Sequence, residues 1–218
     1  MLEGKKREIS RMHLTKIAIL ISGRGSNMTD LANAVDANRI QNAEISLVVS
    51  DESDAAGLNI ANERGLKTFV CERTGRKRAE HEAEIITALQ AHQIDLVCLA
   101  GYMRLLSPCF IAAFQGRILN IHPSLLPSFP GLDAQRQALA HGVKVSGCTV
   151  HFVDDTLDGG PIIAQRVVPV LEDDTEETLA SRILVEEHTL YTEALALVVS
   201  GDYEIVGRQV KQTESRKQ

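Results

Sequence analysis

The chain has 218 residues, of which 44% are hydrophobic, and it carries a formal net charge of −6 at pH 7. This composition is typical of a soluble globular protein, and the acidic balance gives no reason to expect nucleic acid or an anionic membrane as a partner. The sequence contains no stretch of about 18 uncharged apolar residues, so it predicts no membrane span. The four cysteines are widely spaced without a Cys-x-x-Cys pair, which favours a cytoplasmic protein with reduced thiols over a disulfide framework or a zinc site.

The N-terminal part of the chain predicts a strand, a glycine turn and a helix. Residues 1–15 are polar and basic without a clear period, so we expect a disordered extension there. Lys16–Ser22 is an apolar run typical of a strand buried in a parallel sheet, Gly23–Asn27 follows at once, and helical spacing begins at Met28. The free N–H groups of such a junction favour an anion. A purely structural tight turn explains the motif equally well, because the dinucleotide fingerprint and the P-loop ending are both absent.

Strands and helices then alternate along the chain. Strands are predicted at 44–50, 67–71 and 95–100, and helices at 54–64, 76–93 and 107–115. This alternation predicts a Rossmann-like, mostly parallel sheet with helices on both faces. Gly101–Leu106 leaves the carboxyl end of a strand, where ligands gather in open α/β sheets. Arg78, at the start of a helix, is by default a solvated charge.

The stretch Arg117–Pro127 is where we expect the chemistry. Asn120 and His122 lie two residues apart in a predicted strand, so both side chains point to one face, and Pro123 ends the strand. A strand rim with two ordinary polar residues explains this spacing equally well. The glycine turn and Gly101–Leu106 fall at the same sheet edge, however, which favours a site.

The C-terminal part changes character. Segments 145–153 and 162–170 predict an antiparallel hairpin, whose loop Asp154–Pro161 carries three carboxylates that would ordinarily be solvated. A long helix follows from Thr175, and Glu187 lies on its apolar stripe, where a carboxylate either binds a partner or reaches out to solvent. A last strand is expected at 203–206 and a polar tail at 209–218. The economical interpretation is one domain over residues 16–208.

Four strings carry a family resemblance. They are ISGRGSN at 21–27, LAGYMR at 99–104, LNIHPSLLP at 119–127 and HFVDDTLDGGP at 151–161. In this order and spacing the chain resembles the phosphoribosylglycinamide formyltransferases, which are folate-dependent, over about residues 16–200. The resemblance implies a nucleotide-binding half at about 16–115 and a folate-binding, catalytic half at about 116–208. It also implies glycinamide ribonucleotide and 10-formyltetrahydrofolate as substrates, with no metal.

The resemblance also implies roles for particular residues. The catalytic residues would be Asn120, His122 and Asp158. The ribonucleotide would bind at Gly25, Ser26, Asn27 and Glu187. The folate would bind at Arg78, Met103, Arg104, Leu105, Leu106 and Asn120. Attack of an amine on a formyl carbon creates an oxyanion, for which Asn120 and a protonated His122 are suitable donors, worth about 3–4 kcal/mol each in comparable sites. Asp158 would orient the imidazolium of His122 and favour its charge.

Some positions depart from the family pattern, and some alternatives stay open. Gly131–Gln135 lacks two histidines that many relatives have after the proline loop, Arg24 either contacts phosphate or faces solvent, and Thr192 replaces a frequent proline.

Formyltetrahydrofolate hydrolase and the core of methionyl-tRNA formyltransferase are alternative enzymes. The short segment before Lys16 and the acidic 218 residues disfavour the extra domains that those enzymes carry. A folate- or nucleotide-binding module without turnover is the non-enzyme alternative, and either a monomer or a homodimer is compatible.

Overall fold

The computed structural model describes residues 14–213, so most of the predicted N-terminal extension lies outside the described residues. Its strands are β1 (Thr15–Ile21), β2 (Ala43–Ser50), β3 (Thr68–Val70), β4 (Leu96–Leu99), β5 (Ile118–His122), β6 (Val145–Phe152), β7 (Ile162–Pro169), β8 (Tyr203–Val206) and β9 (Gln209–Gln212). Its helices are α1 (Ser26–Asp36), α2 (Ala56–Glu63), α3 (Arg78–Ala91), α4 (Pro108–Ala113), α5 (Ala134–Ala140) and α6 (Glu176–Ser200). No helix within 14–213 is long and apolar enough to cross a membrane.

The strands form one sheet in the order β3-β2-β1-β4-β5-β6-β7-β9-β8, and β1 to β5 are parallel to one another. β1 lies at the centre of the parallel part, and its residues 17–21 are fully buried. Its alternate side chains enter two cores on opposite faces. Ile19 packs in the core that contains Met28 of α1, and Leu20 in the core that contains Ile85 of α3. The predicted α/β sheet with helices on both faces is therefore confirmed.

The second part of the sheet is antiparallel at first. β6 pairs antiparallel with β5 and β7 antiparallel with β6, which confirms the predicted hairpin. β7 then pairs in parallel with β9, which forms an antiparallel ladder with β8. β9 occupies Gln209–Gln212, the start of the segment that we expected to be a polar tail. Three of its four residues are exposed and polar, and only Val210 packs on the core, so it has no apolar pattern to reveal it.

Helix α6 connects the two parts. Thr175 caps its first turn in a capping box with Thr178, as the sequence predicted for the helix start. The buried hydroxyl of Tyr191 lies 3.1 Å from the carbonyl oxygen of Leu99 and 3.2 Å from that of Leu119, so the helix is hydrogen-bonded to both β4 and β5. The Thr192 hydroxyl contacts Asp30 Oδ2 of α1 at 3.2 Å, which links α6 to α1.

Candidate functional site

The carboxyl end of β5 presents two of the predicted catalytic residues. His122 is only 5% exposed, and its Nε2 lies 2.9 Å from the carbonyl oxygen of Phe129. A carbonyl can only accept a hydrogen bond, so Nε2 carries a proton. The other ring nitrogen, Nδ1, lies 3.5 Å from Asp158 Oδ2. The carboxylate of Asp158 therefore faces the ring edge opposite the one that contacts Phe129.

Asp158 comes from the loop between β6 and β7 and folds back over the sheet end. Its backbone has φ +48°, and its Oδ2 accepts a 2.7 Å hydrogen bond from the Gly131 amide. A Cβ at Gly160 would lie 1.9 Å from the carbonyl oxygen of Phe152, so only glycine permits this tight return of the chain. The acidic loop is thus not simply solvated, because one of its three carboxylates points into the cluster. The structure brings Asn120, His122 and Asp158 together, as predicted.

A fourth polar residue belongs to this cluster, and the sequence prediction missed it. His151 of β6 is directly opposite Asn120 in the antiparallel ladder, and Asn120 Nδ2 lies 3.2 Å from its Nε2. Its Nδ1 donates to the carbonyl of Phe152 at 2.8 Å, and its Nε2 is 3.8 Å from Asp158 Oδ1. Burial lowers the pKa of His151 below its usual value. His151 is therefore neutral, with Nε2 free to accept from Asn120. His151 could have been predicted only from the register between β5 and β6, which places it opposite Asn120.

The turn after β1 is held by glycine. Gly25 has φ +74°, and a Cβ there would lie 2.7 Å from Cα of Gly57, so no other residue fits. Ser26 begins α1, and no side chain caps the helix, so its first-turn N–H groups remain available for an anion. Asn27 is buried, and its Oδ1 has no hydrogen-bond partner among residues 14–213. The turn therefore offers both backbone donors and an unused acceptor.

Glu187 of α6 adjoins this turn, although 160 residues separate it from Asn27 in sequence. Asn27 Nδ2 donates to Glu187 Oε2 at 2.8 Å, and the carboxylate is only 8% exposed. Burial raises the pKa of Glu187, while the Asn27 hydrogen bond and the charge of Arg24 oppose that shift. Arg24 is exposed yet near enough to act on this carboxylate, so its positive charge lies beside the predicted ribonucleotide site.

The predicted folate-binding segment lies at the end of β4. Met103 and Leu105 are 62% and 63% exposed, which is unusual for large apolar side chains. Leu106 is half-buried against the core, and Arg104 has a buried Nη1 without a partner among the described residues. The guanidinium of Arg78 donates to the carbonyl of Leu105, so the structure does bring Arg78 to this segment.

Asp133, in the segment 131–135 that departs from the expected pattern, does not join the catalytic cluster. Asp133, with φ +58°, precedes α5 and pairs with Arg136 on the surface. Asp133 is thus engaged outside the cluster. Within residues 14–213, no three His, Cys, Asp or Glu side chains are grouped so that they could hold a metal ion.

Comparison with known proteins identifies the family. A model described as formyl transferase matches residues 15–195. The trifunctional purine biosynthetic protein adenosine-3 of Homo sapiens is 45% identical over 193 residues, which are 87% of this chain and 19% of that protein. The chain spans only 14–19% of the length of the trifunctional relatives that it matches.

Two further proteins are similar over most of their own length. The phosphoribosylglycinamide formyltransferase of Escherichia coli is 41% identical over 186 residues, or 85% of this chain and 87% of that protein. The crystal structure of glycinamide ribonucleotide transformylase 1 from Symbiobacterium toebii superposes with a TM-score of 0.90 at 49% identity, covering 93% of this chain and 95% of that one. The fold is thus shared with a solved glycinamide ribonucleotide transformylase, and the chain belongs to the formyl transferase family.

Proposed function

We propose that the protein transfers the formyl group of 10-formyltetrahydrofolate to the amine of glycinamide ribonucleotide, a step of purine synthesis. One observation carries the proposal: the cluster of Asn120, His122 and Asp158 lies at the same sheet edge as an anion-binding turn and an exposed apolar segment. These features suit one phosphorylated and one largely aromatic substrate. The names of the relatives from Escherichia coli and Symbiobacterium toebii support the same reaction.

The ribonucleotide would bind at the turn before α1. Gly25, Ser26 and Asn27 form the N-terminus of α1, where backbone N–H groups and the helix dipole would stabilise a bound phosphate. Glu187 and the free Oδ1 of Asn27 accept hydrogen bonds, so they suit the hydroxyl and amine groups of the same substrate. Arg24 adds a positive charge next to the phosphate.

The folate would bind along the segment after β4. Met103 and Leu105 offer exposed apolar area to its ring system, and Leu106 continues that surface towards the core. Arg78 and Arg104 place two positive charges there, which suit the carboxylates of the folate tail. The formyl group would then reach Asn120, which lies between the two substrates.

In the reaction, the neutral amine attacks the formyl carbon and a C–N bond forms as the carbonyl oxygen becomes an oxyanion. Asn120 donates through Nδ2, and the imidazolium of His122 supplies a charged donor from its Nδ1 edge. The bond between the formyl carbon and N10 of the folate then breaks. His122 gives its Nδ1 proton to N10, and the neutral ring then takes up the proton that the attacking nitrogen loses, while Asp158 stabilises the charged ring.

The test is an assay of the purified protein with both substrates, in which formylated ribonucleotide is measured by mass spectrometry. We expect product that depends on both substrates. Release of formate without the ribonucleotide would instead indicate formyltetrahydrofolate hydrolase. Formylation of methionyl-tRNA, when it is supplied as the acceptor, would indicate methionyl-tRNA formyltransferase. Binding of both ligands without product would indicate a binding module, and each of these three results would overturn the proposal.

A further inference from the structure

The segment 101–107 is held by side chains from outside it. Asp51, directly after β2, is completely buried and accepts a 2.6 Å hydrogen bond from the Ser22 hydroxyl on its Oδ1. The Ser22 Oγ in turn accepts from the Met103 amide at 2.9 Å. A relay of two hydrogen bonds therefore runs from a buried carboxylate through a serine to the backbone of the segment.

A second contact holds the other end of the segment. Glu82 of α3 is 4% exposed, and its carboxylate accepts from the Ser107 amide, with Oε1 at 3.0 Å and Oε2 at 3.3 Å. Arg78 donates from Nε to Glu82 Oε1 at 3.1 Å and also bonds the carbonyl of Leu105. Three backbone groups between 103 and 107 are thus bonded to side chains.

These contacts hold the part of the segment that packing does not hold, because Tyr102 is buried and Leu106 packs against a core while the residues between them are mostly exposed. Met103 and Leu105 point their side chains into solvent, so neither fixes the backbone by packing in a core. Burying a carboxylate such as Asp51 costs free energy that must be offset by its hydrogen bonds. A binding segment that is already ordered loses less conformational entropy when its ligand arrives, and therefore binds more tightly.

We propose that Asp51 is a positioning residue, which acts through Ser22 to hold the segment in the conformation that receives the formyl donor. This inference rests on the proposed function, because it takes the segment as the folate site. Asp51 itself does not contact the donor, since Ser22 stands between it and the segment. Loss of the relay raises KM for 10-formyltetrahydrofolate and leaves KM for the ribonucleotide unchanged.

The test compares variants along the relay. We expect Asp51→Ala and Ser22→Ala each to raise KM for the donor about tenfold, the effect of one lost hydrogen bond to a charged or buried group. Asp51→Asn retains an oxygen that can accept from Ser22, and Ser22→Thr retains the hydroxyl, so both should restore most of the affinity. The matched control is Glu52→Gln. Glu52 also pairs with Arg73, as Asp51 does at 3.4 Å, but it has no bond to Ser22.

Several results would overturn the inference. If Asp51→Ala does not fold, Ser22→Ala still tests it, with thermal unfolding as the check on integrity. An unchanged donor KM in folded Ser22→Ala contradicts the relay, as does an equal rise in both KM values. If the wild-type protein makes no product, the proposed function fails, and calorimetric titration with 10-formyl-5,8-dideazafolate then tests the relay alone. Equal affinity of wild-type and Ser22→Ala for that analogue would contradict it.

Discussion

The ends of β1 and β5 lie at the same edge of the sheet, but the candidate sites that follow them are built in different ways. After β1, the donors are backbone N–H groups, and what matters is the absence of a side chain at Gly25, where a Cβ would meet Gly57. After β5, the groups are side chains, and each requires partners from β6 or the loop beyond it. The candidate site after β1 depends on the space that Gly25 leaves open, and the one after β5 depends on contacts among side chains.

This difference determines how each site fails when it is changed. A backbone site loses its geometry through steric strain, which also affects the folded state. A side-chain site loses chemical groups while its strands remain paired, because the ladder between β5 and β6 uses only the backbone. Substitutions at the two ends should therefore separate into effects on turnover and effects on binding and stability.

The largest effect should come from the side-chain site. We expect His122→Ala to lower kcat by about 100- to 1000-fold, as removal of one oxyanion donor does elsewhere. Asp158→Asn should lower kcat by a similar factor, because it removes the charge that stabilises the protonated ring of His122. The KM for the ribonucleotide should stay as in the wild type, since the turn before α1 is untouched. Steady-state kinetics with both substrates measures this, and near-wild-type kcat in either variant would remove that residue from the catalytic group.

The next effect should come from the backbone site. Gly25→Ala should lower the free energy of unfolding by about 1–3 kcal/mol and raise KM for the ribonucleotide, because it adds a backbone clash to a strained φ. Gly65→Ala is the control, since Gly65 has φ +71° with nothing within 4 Å of an added Cβ. Chemical denaturation of both variants isolates the clash. Equal losses of stability would mean that the contact with Gly57 contributes nothing.

Glu187→Gln should have a smaller effect and should move affinity and stability in opposite directions. KM for the ribonucleotide should rise about fivefold, the difference between a charged and a neutral acceptor. The melting temperature at pH 7 should rise, because burial raises the Glu187 pKa above that of the unfolded chain and the ionised form opposes folding.

The gain in stability has a defined pH dependence. At a pH above the raised pKa of Glu187, the buried charge destabilises the wild-type fold in full. As the pH falls through that pKa towards the unfolded value of about 4.5, Glu187 becomes neutral in the folded state, and the stability gained by the glutamine variant should vanish. Melting curves from pH 4 to pH 8 would show this. Glu186→Gln on the neighbouring, partly exposed position is the control, and an equal gain there would show that the burial of Glu187 is not the cause.

The smallest effect should be seen at His151. Burial lowers its pKa, so the unfolded chain takes up the proton first and stability should fall as the pH drops below about 6.5, until the folded pKa is passed. His151→Gln keeps an acceptor for Asn120 and should flatten this part of the stability profile. His141→Gln removes an exposed imidazole and serves as the control. A profile with the same slope in wild type and His151→Gln would contradict a neutral, buried His151.

Much of the fold was predictable, because its strands are apolar and its turns have distinctive residues. The buried run of β1 and the glycine turn identify themselves within a few neighbouring residues. His151 does not, since its membership of the cluster depends on the register between β5 and β6, which is decided by side chains distant in sequence. β9 was missed for a related reason, because a strand of mostly polar residues has no apolar period. Strand parity places Asn120 and His122 on one face, and the family resemblance adds Asp158, whereas neither indicated His151.

Helix α6 fixes the distance between the turn before α1 and the end of β5. Glu187 and Tyr191 are one helical turn apart on the same face of α6, separated by about 6 Å along the axis. The one residue adjoins the turn before α1, and the other is hydrogen-bonded to the carbonyl of Leu119, the peptide that leads into Asn120. One turn of α6 therefore fixes the separation between Glu187, which would bind the acceptor, and Asn120, whose amide would donate to the formyl oxygen.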